Sequence, residues 1–159
     1  MRRVVALLAC CVLVASCSFR LQGRQVLPAS LASIELNATD AHSDFTAALK
    51  RSITASGAQL VDHATTEQAV LRITRDEVTE DVLSVDARNI PTDFELTYVV
   101  EVGVRVGTNE LMEAEKFTLS RIYSFDETRL LAKEREKDIL REALARDMAS
   151  IVLRRLSSL

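Results

Sequence analysis

The chain has 159 residues, 20 basic against 23 acidic, and a formal net charge of −3. That length suits one domain with a real core, and the acidic balance argues against non-specific nucleic-acid binding. Tryptophan is absent and aromatics make up 4% of the chain, so a base-stacking platform is not expected either.

The first element is a short cationic start, Met1-Arg2-Arg3, followed by an uncharged apolar run of 12 residues from Val4 to Ala15. A membrane-spanning helix needs roughly 20 such residues. A short run with basic residues before it and small ones after it reads as a secretory signal peptide over residues 1–16. The run ends Val14-Ala15-Ser16-Cys17, which resembles the bacterial lipobox and makes Cys17 the expected site of lipidation. The competing reading is a buried N-terminal helix with an incidental cysteine. With Cys17 as first residue the chain keeps 143 residues and, losing Arg2 and Arg3, 18 basic against 23 acidic, a net charge of −5. Cys10 and Cys11 leave with the signal, so no free thiol, disulfide or cysteine metal site is expected. Ser18, where Asp would mark inner-membrane retention in enterobacteria-like sorting, implies the outer membrane.

Residues 17–31 read as an acylated N-terminus and tether, in which Phe19 and Leu21 could tuck against the domain and Pro28 breaks any helix. The remainder, residues 32–159, reads as the folded domain. Ala32 to Asn37 alternates with period two, the mark of a half-buried strand. Ser43 or Asp44 can cap a helix over residues 43–56, with Phe45, Leu49 and Ile53 on one face and Gly57 as its stop. From Ala69 the pattern is β again and runs through Val78, Val82 and Val85, with the acidic pairs Asp76-Glu77 and Glu80-Asp81 marking bends or an edge. Arg88-Asn89-Ile90-Pro91 reads as a turn. Phe94, Leu96, Tyr98, Val100, Val102, Val104 and Val106 then fall on one face of the clearest strand. A turn at residues 107–110 leads into a return strand carrying Phe117, Leu119, Tyr123 and Phe125. Asp126-Glu127-Thr128 opens a helix to about Leu156. Its expected core face is Leu130, Ile139, Leu140, Ala143, Leu144, Met148, Ile151 and Val152. The order β-α-β-β-β-α predicts an α+β fold, a four-stranded mixed sheet with both helices on one face.

Little in the chain suggests catalysis. The two histidines are His42, before the first helix, and His63, in a polar loop with Asp62, Thr65 and Thr66. A hydrolase built on His63 is conceivable, but neighbours in one loop seldom face each other productively. No Gly-x-Ser-x-Gly elbow, phosphate loop or HExxH signature is present. No catalytic residue, metal ligand or cofactor is therefore assigned. On the second helix Arg129, Lys133, Lys137 and Arg141 stack as a basic column beside an acidic column of Glu134, Asp138 and Glu142. One reading is a solvated face held by pairs such as Glu134 with Lys137. The other is that the column near Lys133 meets an anionic ligand.

The stretch Cys17-Ser18-Phe19-Arg20-Leu21-Gln22-Gly23 resembles the start of lipopolysaccharide-assembly lipoproteins of the LptE family. So do Leu83 to Asn89 before Phe94-Glu95-Leu96, Arg121 to Phe125, and Leu131-Ala132-Lys133 at the start of a long helix. The resemblance implies a non-enzymatic outer-membrane lipoprotein, lipid-anchored on the periplasmic side. It would sit in the lumen of the LptD β-barrel as a 1:1 partner, plug it, assist its assembly and contact lipopolysaccharide. It also makes Arg88 and Lys133 candidates for contacting lipid A phosphates. The alternative is an outer-membrane lipoprotein acting as ligand carrier or envelope scaffold without a barrel.

Overall fold

The computed structural model describes residues 25–124 and 130–159, with side chains in the final helix from Glu134 onward. Cys17, Phe19, Leu21, Phe125 and the opening of the last helix at Asp126 lie outside the described residues.

The chain enters through a 3-10 turn at Ala29–Leu31 that drops Leu31 into the core. β1 follows at Ser33–Ala38. The helix α1 spans Asp44–Ser56. Ser43 caps it by accepting from the Thr46 amide at 3.0 Å, and Gly57 ends it in the left-handed region at φ 96°. A side chain at Gly57 would pay a steric penalty there. Phe45, Ala48, Leu49 and Ile53 form its buried stripe.

Three long strands carry the rest of the sheet: β3 at Ala69–Val85, β4 at Pro91–Val106 and β5 at Asn109–Ser124. They form an antiparallel meander. A short strand β2, Gln59–Val61, pairs with β1, so the sheet has five strands in the order β2-β1-β3-β4-β5. β1 is parallel to both of its neighbours, which makes the sheet mixed. The sequence expectation of four strands falls one short. Three residues are too few to show an alternation, and β2 exists because the turn after Gly57 lays the chain against β1, where the Gln59 amide donates to the Ala32 carbonyl at 2.8 Å.

The second helix, α2, spans Leu130–Leu156. With α1 it covers the sheet face bearing Leu71, Ile73, Leu96, Tyr98, Val100, Val102 and Val104. Each large aliphatic side chain buried this way is worth about 1.5–3 kcal/mol. The α2 stripe is Leu144, Ala145, Met148, Ala149, Val152, Leu153 and Leu156, with Leu140 partly buried. Of the expected stripe, the Leu130 side chain lies outside the described residues, Ala143 and Ile151 are half-buried, and Ile139 departs from it, being 63% exposed. The helix stays on its sheet-facing side through Leu140 and Leu144, and Ile139 lies one position around the wheel, over solvent.

Ion pairs also tie the layers. Lys137 pairs with Glu80 of β3 and Arg141 with Asp44 of α1. Arg121 of β5 meets Asp147, and Arg155 meets Glu115. The expected Glu134 to Lys137 pairing along α2 is therefore replaced by a contact to the sheet, because Lys137 sits above the polar row of β3.

Candidate ligand-contact surface

Where β3 and β4 turn back, residues 86–90 form a tight and heavily bonded tip. Asp86 organises it. Its Oδ1 accepts from the amides of Arg88 at 2.8 Å and Ile90 at 2.9 Å, and its Oδ2 accepts from Arg88 Nε at 2.9 Å. The backbone closes with Asp86 N–H to the Ile90 carbonyl and Asn89 N–H to the Asp86 carbonyl. Asn89 takes φ 65°, a conformation Asn tolerates better than most residues. The Ile90 amide, with help from the Arg88 guanidinium and amide, holds the Asp86 carboxyl below its usual value, against a smaller opposing effect of burial.

Arg88 is thus placed by two bonds to one carboxylate, yet its side chain is 73% exposed. A guanidinium has five N–H donors, so the outward ones stay available to an anion. Lys133 falls in the first turn of α2, but its side chain is not described. The structure therefore supplies a geometry for Arg88 and none for its pairing with Lys133.

Behind the tip, the polar side chains Ser84, Thr92, Asp93 and Ser124 lock the ends of three strands together. Asp93 accepts from Ser84 and from Ser124, and these bonds, Ser84 foremost, draw its carboxyl below the usual range. Exposed apolar side chains gather at the same end: Val82, Leu83 and Val85 on β3, with Ile122 on β5. Leu83 is the extra residue of a bulge, as the register steps from Val82–Phe94 to Ser84–Asp93. A cation on a rigid turn beside apolar side chains suits an amphiphile with an anionic headgroup.

Elsewhere the titratable groups are structural. Tyr98 donates to Asp76 at 2.8 Å, and Ser43 donates to the other oxygen of the same carboxylate. Tyr123 donates to Glu80 at 2.9 Å. Burial, reinforced by the acceptor carboxylate, raises both tyrosines, Tyr123 to about 12. His42 lines a small cleft with Asp40, Asp44, Asp76 and Arg141, whereas His63 is exposed on its loop. Among the described residues no cluster of His, Cys, Asp and Glu could hold a metal ion.

A family profile described as "LptE: Lipopolysaccharide-assembly" matches residues 30–156. The chain belongs to the LptE family. It is similar to the LPS-assembly lipoprotein LptE of Pectobacterium atrosepticum, 24% identical over 143 residues, covering 89% of this chain and 77% of the relative. The LPS-assembly lipoprotein LptE of Yersinia enterocolitica is 25% identical over 157 residues, covering 98% and 75%. Among solved structures, lipoprotein B from Nitrosomonas europaea superposes with a TM-score of 0.72 at 26% identity, covering 89% of this chain and 91% of that one. The rare lipoprotein B from Shewanella oneidensis gives 0.71 at 25%, covering 79% and 94%. LptE proteins are non-enzymatic outer-membrane lipoproteins of lipopolysaccharide assembly, so the hydrolase built on His63 is set aside. Asp86, the residue that aims Arg88, was not singled out from the sequence. Its signal was there, an Asp two residues before a turn cation and three before Asn89.

Proposed function

We propose that this LptE-family protein is anchored to the outer membrane through lipidated Cys17, with residues 1–16 as its signal peptide, residues 17–31 as tether and residues 32–159 as the domain. It seats in the lumen of the LptD β-barrel as a 1:1 plug, assists the assembly of that barrel, and contacts lipopolysaccharide phosphates through Arg88 with Lys133. The observation that carries the ligand reading is the exposed Arg88 guanidinium, fixed by Asp86 beside the apolar tip. The sheet adds support for the barrel: among the described residues the helices cover only one of its faces, which leaves the other open to a lumen.

Copurification tests the plug. Tagged protein extracted in detergent is expected to bring down a large β-barrel in near-equal amount. Repeated recovery without one would leave the alternative, a carrier or scaffold working alone. For the ligand, Arg88→Asp combined with Lys133→Asp is expected to weaken lipopolysaccharide capture with an unchanged circular dichroism spectrum. Unaltered capture would remove the site assignment and leave the plug standing.

A further inference from the structure

The open face of the sheet carries a second cationic feature, at the end opposite the tip. Arg72 of β3 and Arg105 of β4 line a shallow pocket with Val70, Thr74 and Ala114, floored by Gly103. Arg72 pairs with Gly103 in the register, and Arg105 lies two residues further on the same face. Diagonal neighbours of this kind are within reach of long side chains. The floor is a consequence of glycine. The β4–β5 register slips between Val102 and Val104, and a Cβ on Gly103 would lie 3.4 Å from the Ala114 amide nitrogen and the Met112 carbonyl oxygen. Arg105 is steadied by donating to the Gly107 carbonyl at 3.0 Å.

The charges in this pocket do not cancel. Arg121, Lys137, Arg141 and Arg155 each meet a carboxylate. Among the described residues neither Arg72 nor Arg105 does. Among the lining residues Glu110, opposite Arg105, is the one carboxylate against two guanidiniums; of the carboxylates just outside the lining on the same face, Glu101 is opposite Lys116 and Glu35 accepts from the Ala64 amide. Like charges held side by side on one sheet face repel, and an oxyanion between them would turn that repulsion into charge-assisted hydrogen bonds.

We propose that Arg72 and Arg105 form a second phosphate site for lipopolysaccharide, at the far end of the open face from Arg88. The proposal rests on the ligand reading above. Arg72 and the tip lie 13 residues apart along β3, roughly 40 Å at strand rise, so the two sites engage a phosphorylated glycolipid in succession along the face and not as one clamp.

The test uses the acylated full-length lipoprotein in detergent, with lipopolysaccharide as probe. Arg72→Gln with Arg105→Gln is expected to weaken capture about tenfold, and Gly103→Val, which fills the floor, is expected to do the same, both with unchanged circular dichroism. A photo-crosslinking residue at Thr74 is expected to label lipopolysaccharide. Inorganic phosphate is expected to compete with that labelling better than chloride at equal ionic strength. Capture by the unmodified protein that survives the arginine pair unchanged, with Thr74 unlabelled, overturns this site alone. Absence of capture by the unmodified protein overturns the ligand reading and this site with it. Equal competition by phosphate and chloride overturns the assignment to phosphate.

Discussion

Arg88 is exposed, but it is not electrostatically free. Asp86 spends one oxygen on the turn amides and the other on the guanidinium. A phosphate approaching Arg88 therefore meets a neutralised pair and must share the cation with its holder. Asp86→Asn keeps an acceptor for the amides and removes the competing charge. It is expected to raise lipopolysaccharide capture severalfold where Arg88 is the contact, whereas Arg88→Asp lowers it. A lipopolysaccharide pull-down of the two variants side by side checks both directions, and equal capture by both would deny Arg88 a part. The turn has its own pH signature. Because the folded carboxyl is held below its ordinary value of 3.8, the stability it lends is whole above that value and is lost as pH falls beneath it. The protection of the Arg88 and Ile90 amides against hydrogen exchange, taken relative to the intrinsic rate at each pH, is expected to fall over that acid range.

At the scale of elements, what the sequence shows clearly is what repeats. β4 alternates over its length, and α1 repeats every four residues between a capping serine and a glycine, so both could be read with their faces and ends. Ser43 does more than cap, because its hydroxyl also donates to Asp76 on β3. Ser43→Ala should cost about 1–2 kcal/mol, and Gly57→Ala about 1–2 kcal/mol, both measured as a lower urea midpoint. What the sequence hides is pairing between distant elements. β2 has no pattern of its own and is a strand only because β1 is there to receive it. Lys137 could have bonded along its own helix, and only the tertiary arrangement sets Glu80 beneath it. Ile139 looks like a core residue in the sequence because it counts on the apolar face of the predicted helix. Its exposure predicts that Ile139→Gln will change stability by less than about 0.5 kcal/mol. Leu144→Ala, on the buried stripe, should cost about 2–5 kcal/mol. Equal losses in urea titrations would put Ile139 back in the core.

Over the whole molecule, one face of the sheet is closed by helices and the join between the layers is partly polar. Two rows cross it: Ser43 and Tyr98 on Asp76, then Tyr123 and Lys137 on Glu80. The aromatic rings are apolar props as well, since Tyr98 tilts against Phe45 at 6.3 Å and Tyr123 stacks on Phe94 at 5.7 Å. Ionising either phenol would put a second negative charge beside a carboxylate at the seam. Burial is the larger reason that both resist ionisation, and this repulsion adds to it. Unfolded tyrosines lose their protons near 10, while Tyr123 in the fold holds its own to about 12 and Tyr98 is raised too. Between those values the unfolded chain binds fewer protons than the folded one. Stability is therefore full below pH 10 and falls as pH climbs toward 12. The two tyrosines are the only ones in the chain and there is no tryptophan, so tyrosinate absorbance reports on this seam alone. Little tyrosinate should form in the folded protein at pH 10, and the urea midpoint should begin to drop there. Tyr123→Phe should start less stable by about 1 kcal/mol and then lose less on the alkaline side. A titration of the folded protein centred at 10, like that of a free phenol, would mean that these hydroxyls take no part in the two polar rows that join the sheet to α1 and α2.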